Sequence, residues 1–184
     1  MSTRKVIVQM QLSVDGFCAT TGGSNDFIFP GFEAASTAWI VDKLGQAGAH
    51  LMGRKTYGDM ASYWPQSKEP YAPPMNDLPK VVFSKALRDP SWGPVRVAAG
   101  DLATEIAALK AEPGQDLLAH GGAAFVQSLA RADLVDEYRL LVHPVALGAG
   151  LPLFPARPER MWKLRLQRST SFPGGIVANE YVRG

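Results

Sequence analysis

The sequence predicts a mainly parallel α/β sheet with an antiparallel edge, and three observations carry that prediction. Short β-branched, apolar runs alternate with helical patterns of about ten residues along most of the chain. Glycines sit where such runs hand over to the next segment, at Gly53, Gly121 and Gly122. The last two runs, 163–167 and 176–182, are joined through Pro173-Gly174-Gly175 and read as an antiparallel pair.

Each element follows from its own residues. Residues 5–12 (KVIVQMQL) are β-branched and apolar, and form the first strand. The stretch 13–31, rich in Gly, Thr, Ser, Asn and Asp and holding Pro30, reads as a long loop of the kind that is usually functional. Residues 32–46 place Phe32, Trp39, Ile40, Val41 and Leu44 loosely along one helical face, and Gly48 follows as a stop. Residues 50–52 are a short buried strand, and 54–63 a helix starting directly after Gly53. The segment 64–79 carries five prolines and reads as irregular. Strands follow at 80–83 and 95–98, separated by a turn over 88–94. Asp101 caps a helix whose Leu102, Ile106 and Leu109 share a face, closed by Pro113-Gly114. Residues 116–119 are a strand, 123–132 a helix with Phe125, Val126 and Leu129 to one side, 137–142 a strand, and 144–158 a Gly/Pro-rich loop. With no internal repeat and no sharp boundary, residues 1–184 read as one domain.

Composition narrows the function classes. A formal charge of +2 with no basic run does not point to nucleic acid. No apolar stretch approaches the roughly 18 residues of a membrane span, and the first residues lack the pattern of a secretory signal. Cys18 is the only cysteine, so no internal disulfide forms and a reducing, cytoplasmic setting is expected.

Three stretches offer what a phosphorylated cofactor needs. Gly53-Arg54-Lys55-Thr56 combines a helix start with two cations and a hydroxyl, suited to a phosphate or equally to a solvated helix end. Ser84-Lys85 ends the next strand and, beside Arg54, would complete a pocket for the 2′-phosphate of NADP. Gly121-Gly122-Ala123-Ala124-Phe125 joins a strand to a helix, either as a plain tight turn or as a close approach for a pyrophosphate. One such loop means little, whereas three on successive strand ends suggest an extended dinucleotide across a sheet edge. Asp15, in Ser13-Val14-Asp15-Gly16, either orients a substrate or makes a turn, and Asp26 and Glu33 are further carboxylates that either reach a ligand or simply sit solvated at the surface. His50, His120 and His143 have no metal-type spacing and read as structural, so no metal is expected. Cys18 has no evident base beside it and reads as a small buried side chain.

The order SVDG, LMGRKTY, FSK, HGGAAF, DEYRLLVHP, LGAGLPLF resembles the dihydrofolate reductase-like family. It looks closest to the branch containing the reductase domain of the bifunctional riboflavin-biosynthesis deaminase-reductase. The resemblance runs from about Lys5 to the C-terminus and implies a three-layer α/β/α fold with a mixed, mainly parallel sheet of about eight strands. It implies NADPH as cofactor, with Gly53, Arg54, Lys55 and Thr56 on its adenosine side and Ser84 and Lys85 flanking the 2′-phosphate. Gly121, Gly122, Ala123, Ala124 and Phe125 would sit under the pyrophosphate, with a cis bond between the two glycines. Met10, Gln11, Cys18 and Ala19 would line the nicotinamide, and Asp15 would face the substrate and serve as first choice of catalytic acid. True dihydrofolate reductases carry Pro-Trp and an acidic residue on the first helix; SNDFIFPGFEAAS has no such motif. The implied activity is therefore hydride transfer from NADPH to a small C=N or C=O substrate other than folate. A rival is reduction of a ribosylamino-pyrimidine phosphate, with Arg157 and Arg160 as its phosphate site, and a rival of another class is a non-catalytic NADPH-binding protein. The 64–79 segment and the terminal hairpin offer a surface for a homodimer.

Overall fold

The computed structural model describes residues 4–154 and 161–184. Its elements run β1 Val6–Ser13, β2 Phe17–Ala19, α1 Ala34–Gly45, β3 Ala49–Gly53, α2 Arg54–Tyr63, α3 Ala72–Asp77, β4 Lys80–Phe83 and β5 Val95–Ala98. They continue with α4 Leu102–Ala111, β6 Leu117–Ala119, α5 Ala123–Arg131, β7 Glu137–His143, β8 Leu151–Pro152, β9 Leu164–Ser171 and β10 Val177–Arg183. Eight strands form one sheet in the order β5-β4-β3-β6-β1-β7-β10-β9. The pairings from β5 to β7 are parallel, and β10 runs antiparallel to both β7 and β9. The three-layer, mainly parallel architecture with its antiparallel C-terminal edge is therefore as expected.

Strand alternation sorts the core into two layers. Val6, Val8, Met10 and Leu12 of β1 pack with Ile106 and Leu109 of α4 and Val126 and Leu129 of α5. Ile7, on the opposite face, packs with Ile40 and Leu44 of α1, Tyr57 of α2 and Met75 of α3. Gln9 and Gln11 share that second face, so two amides lie where alternation would otherwise place apolar side chains.

Two loop assignments need correction. The 13–31 segment contains β2, which pairs with β8, and a 3-10 turn at Asp26–Gly31. β8 in turn lies within the stretch read as a Gly/Pro-rich loop. The 64–79 segment folds into a 3-10 turn at Trp64–Gln66 and helix α3. Pro65, Pro73 and Pro74 fall in first turns, where no intrahelical N–H is required, and Pro70 and Pro79 flank helix α3. Contacts from the sheet then hold it: a His50 ring nitrogen bonds Pro74 O at 2.9 Å, and the buried Lys80 ammonium donates to Asn76 O at 2.5 Å. Burial lowers the Lys80 pKa to about 8, and its Nζ lies 4.5 Å from the centre of the Trp92 ring.

Candidate active site

Register brings the three phosphate-type stretches to one edge. Leu51 of β3 pairs with Ala119 of β6 and Val81 of β4, Gly53 pairs with Phe83, and Phe83 with Ala98 of β5. The carboxyl ends of β6, β3, β4 and β5 thus stand side by side, the position at which ligands bind open α/β sheets.

Two helices begin at that edge without a capping side chain. Helices α1 and α4 are capped by Glu33 and Asp101, whose carboxylates accept their first amides. Neither Gly53, before α2, nor Gly122, before α5, supplies such an acceptor. In α5 the first helical bond runs from Val126 N to Gly122 O at 3.1 Å, so the amides of Ala123, Ala124 and Phe125 precede it. Adjacent helix starts with unpaired amides and positive dipole ends form an anion-binding edge.

The Gly121-Gly122 pair joins the two helices. A Cβ at Gly122 would lie 2.5 Å from Thr56 Oγ1, and one at Gly121 would lie 3.0 Å from Thr56 Cγ2 and 3.2 Å from Met60 Cε. The expectation of a cis bond is overturned: the described residues contain no cis peptide, and Gly122 instead takes φ +77°. Glycine is used here for a left-handed backbone and for close packing against α2.

The cations behave differently from one another. Arg54 and Lys85 are exposed and form no ion pair among the described residues. Lys55 pairs with Asp59 at 2.9 Å, but both side chains are largely exposed, so the pair contributes little. Ser84 Oγ accepts from Ala86 N at 3.1 Å and Leu87 N at 3.0 Å, which leaves its O–H as a donor.

A cleft of about 500 Å³ opens between β1, α1 and α2. Gln9, Gln11 and His120 line it together with Ile40, Leu44, Met60 and Met75. Five aromatic side chains lining it form a chain of ring contacts, Phe29–Phe32–Tyr71–Trp64–Tyr63, with successive centroids 6.5, 6.3, 6.2 and 5.0 Å apart. Asp59 and Glu69 also line it, and Glu69 accepts a hydrogen bond from Tyr63 Oη. The 64–79 segment, expected as dimer surface, thus supplies one wall of the cleft.

Sequence spacing gave no hint that His120 meets His50. Their rings lie 3.0 Å apart through His120 Nε2 and His50 Nδ1. A carbonyl oxygen only accepts, so His50 Nε2 carries the proton bound to Pro74 O; its Nδ1 then accepts from His120 Nε2–H. Burial holds His50 at about 4 and His120 well below the ordinary histidine value, with His50 adding to the latter shift. Both rings are neutral at neutral pH, which leaves His120 Nδ1 without a proton, and the residue lines the cleft. Among the described residues no group of three or more His, Cys, Asp or Glu is arranged to hold a metal. No helix among them is long and apolar enough to cross a membrane.

The family model for the RibD C-terminal domain matches residues 4–178. The chain belongs to the RibD C-terminal domain family. Among curated relatives of this domain, the uncharacterized protein YyaP of Bacillus subtilis is 28% identical, with 98% of this chain and 96% of YyaP covered. The uncharacterized protein YwjB of the same organism is 29% identical, with 98% of each chain covered. A putative riboflavin biosynthesis protein from Shewanella sp. PV-4 superposes with a TM-score of 0.75 at 24% identity, covering 98% of this chain and 99% of that one. A diaminohydroxyphosphoribosylaminopyrimidine deaminase/5-amino-6-(5-phosphoribosylamino)uracil reductase from Thermotoga maritima gives 0.74 at 15% identity, covering 99% of this chain and 57% of that one.

Several of the expected site residues are engaged elsewhere. The Asp15 carboxylate accepts from Ser13 Oγ at 2.6 Å, Gly148 N at 2.7 Å and Leu147 N at 3.1 Å. These bonds, led by Ser13, lower its pKa, the wrong direction for a proton donor; it clamps the 147–148 loop onto the end of β1. Glu33 is spent on the α1 capping box, and Asp26 is exposed in the 3-10 turn and does not line the cleft. Met10 faces the α4/α5 layer because strand alternation turns it away from Gln11. Cys18 Sγ donates to Leu151 O at 3.2 Å, and burial raises its thiol pKa; Ala19 is buried beside it in β2. Gln11 does line the cleft, its Oε1 accepting from His143 Nε2 at 2.7 Å. Arg157 and Arg160 lie outside the described residues.

Proposed function

We propose that this protein is an NADPH-dependent reductase that acts on a small C=N or C=O substrate held in the aromatic cleft. The observation that carries the reading is the pair of adjacent, uncapped helix starts at Gly53 and Gly122, beside free cations and next to that cleft. The residues fit the cofactor. The amides that open α2 and α5 would hold its pyrophosphate, and Arg54 with Ser84-Lys85 would hold the 2′-phosphate. Gln11 reaches the cleft from the end of β1, on the side where the nicotinamide would meet the substrate. Bound NADPH supplies a hydride from the nicotinamide C4, and the protein supplies position and electrostatics.

The remaining steps belong to this chain's own residues. The aromatic wall from Phe29 to Tyr63 holds a flat ring and keeps water from its faces. His120, locked in one tautomer by His50 and Pro74, orients the substrate through its unprotonated Nδ1. With Asp15 committed to a loop, the proton that follows the hydride comes from water. The rival reading is reduction of a ribosylamino-pyrimidine phosphate, the reaction named for the Thermotoga relative.

The test is loss of reduced-nicotinamide absorbance against a panel of cyclic imines and aromatic carbonyls. NADPH-dependent turnover of at least one is expected. Tight NADPH binding without any turnover would make the protein a binder and not an enzyme.

A further inference from the structure

Acceptors that lack a donor, and carboxylates, stand out among the cleft's polar groups. Gln9 is only 4% exposed, and its Oε1 has no hydrogen-bond partner among the described residues. His120 offers a bare Nδ1, because His50 Nδ1 already takes the proton on its Nε2. Two carboxylates, Asp59 and Glu69, line the same cleft. Donors line it too: the amide nitrogens of Gln9, Gln11 and Asn25 and the indole N–H of Trp64, with the Gln11 oxygen held by His143. No lysine or arginine lines the cleft among the described residues. Lys55, which pairs with Asp59, has a side chain 91% exposed.

A buried acceptor without a donor is unfavourable until a ligand supplies one. A phosphate placed here would find no lysine or arginine among the described residues lining the cleft and would add its charge to two carboxylates. A flat ring with N–H groups would satisfy Gln9 and His120 while its faces contact the aromatic wall. A positive charge would further suit Asp59 and Glu69.

We infer that the cleft takes a flat, unphosphorylated ring that donates hydrogen bonds or carries positive charge, such as a cyclic iminium or amino-heterocycle. This rests on the cofactor reading for its chemistry but not for its binding. It sets the protein apart from a reductase whose substrate is anchored by a sugar phosphate.

Two bicyclic probes of similar size decide it, 2-aminoquinoline and 2-naphthyl phosphate. Each is titrated at neutral pH into the full chain by calorimetry, with and without saturating NADPH. The amine should bind at least about tenfold more tightly than the phosphate. Gln9→Leu should weaken the amine by about tenfold and leave NADPH affinity unchanged. Asp59→Asn combined with Glu69→Gln, both at the rim, should narrow the gap by strengthening the phosphate. Three results overturn the inference: equal or tighter phosphate binding, no amine binding, or amine binding indifferent to all three substitutions. Phosphate binding that disappears in Arg157→Ala/Arg160→Ala would instead restore the sugar-phosphate substrate. Failure to bind NADPH, with the probe order as expected, would overturn only the cofactor reading.

Discussion

The His50–His120 pair makes the protein acid-labile in a calculable way. His50 is fully buried and its pKa is lowered from 6.5 to about 4. Above 6.5 both folded and unfolded chains hold His50 neutral, and its contribution to stability is complete. Below that, the unfolded chain takes up a proton that the folded chain refuses until the pH nears 4. Each pH unit across that window costs about 1.4 kcal/mol, so His50 alone removes about 3 kcal/mol between the two values. His120 and His143 are shifted in the same direction by burial and steepen the loss. Urea unfolding measured across this range reads the slope, and NMR titration of the histidine Cε1–H signals assigns it. We expect His50 to titrate near the lower limit and stability to fall steadily with acid. A His50 midpoint near 6.5, or a flat stability profile over the window, would refute the buried-pair account.

Three further outcomes are expected. Arg54→Ala should weaken NADPH by roughly tenfold and leave NADH unchanged in paired fluorescence titrations, because a charge-assisted phosphate contact is worth about 1.5–3 kcal/mol. Asp15→Asn should retain hydride transfer in a turnover assay, yet expose the 147–148 loop to limited proteolysis, since the carboxylate holds that loop. Gly122→Val should lower the melting temperature as well as abolish NADPH binding. Its branched side chain would meet Thr56 Oγ1 and sit on a backbone with φ +77°, a strain of about 1–3 kcal/mol.

The legible parts of the chain were those whose signal is local. Helix α2 and strands β4 and β5 occupy the expected residues because each is a self-contained pattern bounded by Gly or Pro. The glycine loops were legible for the same reason, and sheet order explains why they meet at one edge. Helix α3 was hidden because its stability comes from His50 and Lys80, donors on the sheet that no window over 64–79 contains. β2 and β8 were hidden because they pair across 133 residues, Cys18 Sγ bonding Leu151 O. At the site, Gln9 and Gln11 are visible in the alternation of VIVQMQLS, once that face is known to be buried. His120 is not, since its partner lies 70 residues away. The carboxylates Asp15 and Glu33 misled because turn and cap chemistry use the same residue types as catalysis.

The central claim is that one cofactor bridges the starts of α2 and α5. Backbone amide shifts of the ¹⁵N-labelled protein during NADPH titration test it most directly. The account predicts saturable shifts at Arg54, Lys55 and Thr56, at Ala123, Ala124 and Phe125, and at Lys85, all following one binding curve. Shifts confined to other strand ends, or two groups of amides saturating with different affinities, would contradict it.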